Sequence, residues 1–172
     1  MKKKHNEIKI LGEISIIYTK ENFKIIIDTE DLCKVKNMYW RIGSKGYAIC
    51  DKTINKKNIR IMMHRLIVNT PEGLYTDHIN HNTLDNRKCN LRICNKSQNA
   101  MNATFNKKCK SKVRGVDYHI RDKAWRARIT VYGKTLELGL FKNKNDAIKA
   151  RKDAEILYFG DYAFNNTLGG IS

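Results

Sequence analysis

The stretch Thr76–Asn102, TDHINHNTLDNRKCNLRICNKSQNAMN, decides how the chain is read. It sets Asp77 beside His78 and places Asn90 twelve and Asn99 twenty-one positions beyond that histidine. Leu74 to His78 reads as one strand, Asn80 to Lys88 as a loop, Asn90 to Cys94 as a returning strand, and Lys96 onward as a helix capped by Asn95 or Ser97. A regular strand sends adjacent side chains to opposite faces. Bringing Asp77 and His78 to one site therefore predicts a break in the strand between them.

Each residue type in this stretch suits one step of phosphodiester hydrolysis. A carboxylate and a side-chain amide oxygen are hard ligands of the kind Mg²⁺ takes while keeping most of its waters. Asp77 and Asn99 would supply these two oxygens, and Mn²⁺ can stand in for Mg²⁺. A histidine removes a proton near neutral pH when an acceptor holds its other ring N–H. His78 fits the base, and Asn90 fits the amide that orients it. Zinc is not expected, because the five cysteines, Cys33, Cys50, Cys89, Cys94 and Cys109, contain no C-x-x-C pair. Their odd number also argues against a disulfide framework, so they read as reduced and structural.

Around this stretch the whole chain is basic. Its 172 residues carry 34 Lys and Arg against 17 Asp and Glu, a formal net charge of +17. The commonest partner for such a field is the phosphate backbone of a nucleic acid. A membrane surface ranks behind it, because the most basic stretch lacks the bulky apolar face of an interfacial helix; an acidic protein is the other rival. A hydrophobic fraction of 41% is too high for a disordered tail. No run approaches the ~18 apolar residues of a membrane span, and Met1 to Ile10 lacks the apolar segment of a secretory signal, so a cytoplasmic location is expected.

Charge also marks the expected connector. Asn106 to Arg114, NKKCKSKVR, carries Lys107, Lys108, Lys110, Lys112 and Arg114 with no acidic residue. It divides the chain into 1–105 and 115–172. It is either a solvated linker or an arm that tracks phosphates, and a position between two nucleic-acid-binding parts favours the arm.

In the first part, Ile14 to Tyr18 and Phe23 to Ile27 predict a hairpin, and Glu30 to Lys36 a short helix. Trp40 to Ile42, Tyr47 to Cys50 and Ile59 to Met63 read as short strands, with Gly43 and Gly46 in a turn; His64 to Val68 begins a helix or closes a strand. In the second part, Trp125, Ala127, Ile129 and Val131 alternate with Arg126, Arg128, Thr130 and Tyr132, which predicts a half-buried strand with a basic outer face. Thr135 to Leu140 and Gly115 to Ile120 supply two more strands. A helix comes next, capped by Asn143 or Asn145, with Ala147, Ala150, Ala154, Leu157 and Tyr158 on its apolar stripe and Gly160 at its end.

The pattern HRLI, DHINHN, LDNR, NLR and QN over Ile59 to Asn102 resembles the His-Asn-His (HNH) endonucleases with a ββα-metal active site, in particular the phage and intron-encoded homing type. The resemblance implies that Asp77 and Asn99 bind the divalent metal, His78 is the general base and Asn90 orients it. The last motif position is Asn here, where several relatives have His. His81 occupies a loop position where relatives often have Gly. His64 reads either as a phosphate contact near the metal or as a structural histidine. Arg65, Arg87 and Arg92 either clamp phosphates or pair with Asp85 to fix the loop.

Gly115-Val116, Trp125 to Ile129, Leu138 to Phe141, the Ala147 to Ala154 helix and Gly160 to Asn165 resemble the Apetala-two DNA-binding domain of plant ethylene-response factors. The resemblance covers Val113 to Asn166. It implies a three-stranded sheet in the major groove, with Arg126, Arg128 and Thr130 facing DNA. Trp125 reads as a core anchor or a DNA contact, and its apolar face favours the core.

The expected fold class is α+β: a ββα-metal HNH nuclease domain, then a three-stranded antiparallel sheet packed on one helix. The expected activity is a site-specific homing endonuclease acting on double-stranded DNA as a monomer, with no protein partner, in the cytoplasm of a phage-infected bacterium. It would leave 5′-phosphate and 3′-hydroxyl ends and nick one strand, since the chain has one such site. The alternatives are a sequence-specific DNA-binding regulator with a vestigial nuclease site and a protein acting on RNA.

Overall fold

A computed structural model describes residues 5–102 and 111–163. Lys107, Lys108, Lys110 and Cys109 of the expected connector, and Asn165, lie outside them. The chain divides into two compact units, Met1–Lys96 and Ser97–Ser172. The division falls upstream of the expected connector. Met101 shows why: it is buried in a cluster with Ile129, Ala154, Phe159 and Ala163, so the segment before the connector packs with the C-terminal sheet and helix.

The first unit opens with a three-stranded antiparallel sheet of β1 (Glu7–Leu11), β2 (Ile14–Tyr18) and β3 (Lys24–Asp28), in that order. The β2–β3 hairpin matches expectation, and Asn22 takes the positive φ of 61° that its turn needs. Sequence reading missed β1. It is an edge strand with four of its five residues exposed, so its apolar alternation is too weak to register. Asn6 anchors it, donating from Nδ2 to the carbonyls of Tyr18 at 3.0 Å and Trp40 at 2.9 Å.

A single 3₁₀ turn over Thr29–Asp31 leads into the four-residue helix α1 (Leu32–Val35), where one helix over Glu30 to Lys36 was expected. A second sheet joins β4 (Arg41–Ile42), β5 (Ala48–Ile54) and β6 (Lys57–Met62). His64 then lies inside the helix α2 (Met63–Ile67), which resolves the choice between helix and strand. Ile17, Ile25, Ile27, Val35, Trp40, Ala48, Met63 and Ile67 form the core shared by these elements. Burying each such side chain contributes on the order of 1.5–3 kcal/mol. Trp40 satisfies its indole N–H on the carbonyl of Val35 at 3.0 Å.

The antiparallel pair β7 (Tyr75–His78) and β8 (Leu91–Cys94) closes the unit, and the short helix α3 (Lys96–Met101) starts at its last residue. The loop between β7 and β8 is laced onto β3. Ile26 donates to the carbonyl of Leu84 at 2.9 Å, and Asn86 donates to the carbonyl of Ile26 at 2.7 Å. The N-terminal sheet therefore fixes the backbone around Asn86.

The second unit is an antiparallel sheet of β9 (Val116–His119), β10 (Ala124–Val131) and β11 (Lys134–Phe141), ordered β11-β10-β9, with the helix α4 (Lys144–Phe159) after it. Asn143 caps α4 by accepting from the Asn145 N–H at 2.9 Å. The apolar stripe differs from expectation. Ala147, Ala154 and Phe159 are buried with Arg151, whereas Leu157 is 75% exposed and Tyr158 41% exposed. Trp125 packs against Val116, Ala127 and Ala147, with Tyr118 edge-on to its ring at 5.3 Å, which places it on the core side. The four described cysteines are free. No described helix is long and apolar enough to cross a membrane.

Candidate active site

Asp77 and His78 stand in regular register on β7, opposite Arg92 and Leu91 of β8. The predicted break between them does not occur, and their side chains leave opposite faces of the strand. Each finds its own neighbourhood, and both are buried, at 9% and 4% exposure.

Asp77 meets the side chain directly across the ladder. Arg92 donates from Nε and Nη2 to Asp77 Oδ2 at 2.9 and 2.7 Å. Arg92 thus pairs with Asp77, a partner not considered from sequence. Asp85 instead takes Arg87, which donates from Nε to Oδ1 at 2.8 Å and from Nη2 to Oδ2 at 2.7 Å. Burial opposes ionisation of Asp85, but the Arg87 guanidinium outweighs it and holds the carboxyl below its usual range. Arg65 caps the segment before β7, donating to the carbonyls of Leu74 at 2.7 Å and Pro71 at 3.2 Å.

The ring of His78 lies among three groups. Its Nε2 is 3.3 Å from Oδ1 of Asn86, the His64 ring lies edge-on at 5.1 Å, and the Tyr47 ring is 5.8 Å away. Burial pushes the imidazole pKa down, against the pull of Asn86 and the nearby carboxylates of Asp77 and Asp85. A histidine so placed is neutral at pH 7 and able to accept a proton.

Asn90 does not make the ring contact assigned to it from sequence. Its Oδ1 accepts from the Asn80 backbone N–H at 2.9 Å, and its Nδ2 donates to the Asp85 carbonyl at 2.8 Å. Its amide is spent on holding the loop, and Asn86 meets the ring instead. The rest of the loop runs on the same chemistry: Asn80 Oδ1 accepts from Asn82 N–H at 2.8 Å, and Asn82 Oδ1 from Leu84 N–H at 3.1 Å. His81 sits at this turn with a φ of 62°, a conformation that glycine adopts freely.

His64 is 4% exposed and stacks on Tyr47 at 5.0 Å. Its Nδ1 is buried without a hydrogen-bond partner among the described residues. Burial, with His78 and Arg65 adding to it, drives its pKa down to about 3. It is a neutral wall of the His78 pocket. Asn86 and Tyr47 were missed from sequence, because only the lacing of the loop onto β3 and the fold of the second sheet bring them to the histidine.

The donor chemistry fits a hard divalent cation. A carboxylate has two oxygens, and Arg92 engages Oδ2 of Asp77. Asn99 lies on α3 in the second unit. A separate acidic group, Asp28, Glu30 and Asp31, brings its oxygens within 4.8 Å of one another. Lysines neutralise it: Lys88 lies 2.6 Å from Glu30 and 3.2 Å from Asp31, and Lys34 lies 2.7 Å from Asp31. It serves to tie the loop before β8 to the N-terminal sheet, since Asp28 also accepts the Lys88 backbone N–H at 2.7 Å.

In the second unit Asp117 binds both strand arginines, Arg126 at 2.9 Å and Arg128 at 3.0 Å. Thr130 is exposed and shares a hydrogen bond with Thr135 at 3.0 Å. Lys112 is exposed, and Arg114 donates to the carbonyl of Ala100.

Residues 63–101 match the HNH endonuclease family. Over 136 residues the chain is 28% identical to an uncharacterised HNH endonuclease of Acanthamoeba polyphaga mimivirus, covering 78% of this chain and 70% of the relative. A solved structure concerning DNA binding and cleavage by the HNH homing endonuclease I-HmuI is 22% identical, with a TM-score of 0.34 over 55% of each chain. The chain thus spans just over half the length of that structure. Together the family match and the viral relative support a nuclease, a hydrolase with an HNH endonuclease domain.

Proposed function

We propose that the chain is a site-specific DNA endonuclease of the homing type that hydrolyses one strand at a time. The observation that carries this reading is the buried His78 held at Nε2 by Asn86, directly following Asp77 in the chain, inside the segment that matches the HNH family. With Asn86 Oδ1 accepting the Nε2 proton, Nδ1 is the basic nitrogen. It takes the proton of the attacking water, a contribution of roughly 10²–10⁴ in rate.

Asp77 and Asn99 would hold the divalent metal, Mg²⁺ by the hardness of their oxygens. When bound, the ion would supply electrostatic stabilisation of the negative charge that builds on the phosphoryl oxygens and on the leaving 3′ oxygen. Arg92 orients the Asp77 carboxylate. Asn90 acts one step further out, by fixing the loop that carries Asn86. Water attack with loss of the 3′ oxygen leaves 5′-phosphate and 3′-hydroxyl ends.

The second unit would bind the duplex as an Apetala-two-like reader. Its three strands and the helix after them, with Arg126, Arg128 and Thr130 on one strand, support this assignment. Arg114 and Lys112, with Lys107, Lys108 and Lys110, would track the phosphate backbone. Arg65 and Arg87 would add phosphate contacts only through N–H groups beyond those already spent on Leu74, Pro71 and Asp85.

A second reading, a DNA-binding regulator without nuclease activity, is favoured by one feature: Asp77 and His78 leave opposite faces of β7, and Arg92 neutralises the carboxylate. Incubation of supercoiled plasmid carrying the target site with protein and Mg²⁺ separates the two. Open circles with 5′-phosphate ends support the endonuclease. A fully supercoiled plasmid that is nevertheless bound supports the regulator.

A further inference from the structure

A cavity of about 270 Å³ opens in the second unit where β9 gives out. The last β9 pairing is Val116 with Ala127, and the Arg128 N–H still reaches the Gly115 carbonyl at 2.8 Å. Beyond it no described strand pairs with β10 on this side. Arg114, Arg128 and Arg151 border the cavity with the hydroxyl residues Thr130 and Thr135. Gly115 is needed for the approach: a Cβ there would lie 2.2 Å from the Arg128 carbonyl oxygen and 2.9 Å from Arg151 Nε.

Arg151 is the decisive residue. Its side chain is only 3% exposed, so its charge is held away from water. Nε donates to the Arg114 carbonyl at 2.8 Å, and Nη2 pairs with Glu155 at 2.9 Å. Nη1 is buried with no hydrogen-bond partner among the described residues. Burial works against its positive charge, and Arg114 adds to that. Three arginines thus line one cavity, and the carboxylates that pair with them are Glu155 on Arg151 and Asp117 on Arg128.

We propose that this cavity is a binding site for a phosphate group. Phosphate oxygens match the planar N–H fork of arginine and are bound by guanidinium more strongly than by neutral donors. Thr130 and Thr135 share one hydrogen between their hydroxyls, which leaves the second hydroxyl hydrogen to donate to the anion. Arg151 Nη1 is a further guanidinium donor without a hydrogen-bond partner among the described residues. The site needs only the second unit and does not rest on the nuclease reading. The group is either a backbone phosphodiester of DNA or a free phosphate, which present the same oxygens.

The test is calorimetric titration of the full-length chain with inorganic phosphate at an ionic strength fixed with sodium chloride. Wild type binds saturably, and Arg151→Gln weakens binding about tenfold. Glu155→Gln removes the internal anion that competes for Arg151 and tightens binding about fivefold. No saturable binding in wild type, or an unchanged affinity in Glu155→Gln, overturns the proposal. Glu155→Gln also decides the matter if Arg151→Gln fails to fold. Displacement of phosphate by a short duplex identifies the phosphodiester as the ligand, whereas phosphate held in the presence of duplex identifies a free phosphate group.

Discussion

Arg92 and Asp77 face each other across the β7–β8 pair, with two guanidinium nitrogens on a single carboxylate oxygen at 2.9 and 2.7 Å. The side chains are 14% and 11% exposed, so the pair is largely shielded from solvent. Removing one partner from such a pair leaves a charge without its counterion and costs about 3 kcal/mol. Arg92→Ala is expected to lose about that much stability in urea unfolding, and Asp77→Ala added to it should restore part of the loss. A stability unchanged by Arg92→Ala contradicts a structural role for the pair.

Two asparagines separate by what their amides touch. Asn86 meets the His78 ring, so Asn86→Ala should lower the nicking rate about 100-fold with little change in DNA affinity. Asn90 bonds backbone groups of the loop, so Asn90→Ala should lower stability by about 1–3 kcal/mol. Single-turnover kinetics and thermal melts on both variants check the division. A larger rate loss in a fully folded Asn90→Ala than in Asn86→Ala would reverse it.

Acid should destabilise the first unit through His64. Its pKa in the folded chain is about 3, below that of an unfolded histidine, about 6.5. Below that higher value the unfolded chain binds a proton that the native one refuses. Stability is therefore complete above about pH 6.5 and falls by about 1.4 kcal/mol per pH unit as the solution is acidified toward 3. His64→Phe keeps a ring against Tyr47 and removes this term, so its stability should fall about 2 kcal/mol less than wild type between pH 7 and 5. Parallel curves for the two proteins would refute the assignment.

Asp117 restrains the two strand arginines. If that strand faces DNA, Asp117→Asn removes a carboxylate from the interface and steepens the salt dependence of duplex binding by about 0.9 in log–log slope. Arg126→Ala with Arg128→Ala should weaken site-specific binding. Equal affinity and equal slope in all three proteins would remove the strand from the interface.

Elements with strong periodicity were legible in the sequence. The 125–131 alternation marked β10, and the Asn143 cap and Gly160 bounded α4. The strand–loop–strand of 74–94 was legible too, because its turn residues and its apolar runs agree. Features set by tertiary placement were not legible. Asn86 and Asn90 are the same residue type four positions apart, and only the lacing of the loop onto β3 decides which one meets His78. Arg92 reads as a phosphate ligand or a partner of Asp85 until the register sets it opposite Asp77. Arg151 carries no local signal at all, since nothing in its neighbours along the chain marks an arginine that the helix turns inward.

The central claim is that His78 is the base of a metal-dependent DNA nuclease, and a paired assay of His78→Ala and wild type tests it most directly. Nicking of a target-bearing supercoiled plasmid in Mg²⁺ is measured beside duplex affinity in the same buffer. The account predicts that wild type nicks, and that His78→Ala loses at least about 100-fold in rate while binding DNA as tightly as wild type. Nicking by His78→Ala at the wild-type rate would contradict it.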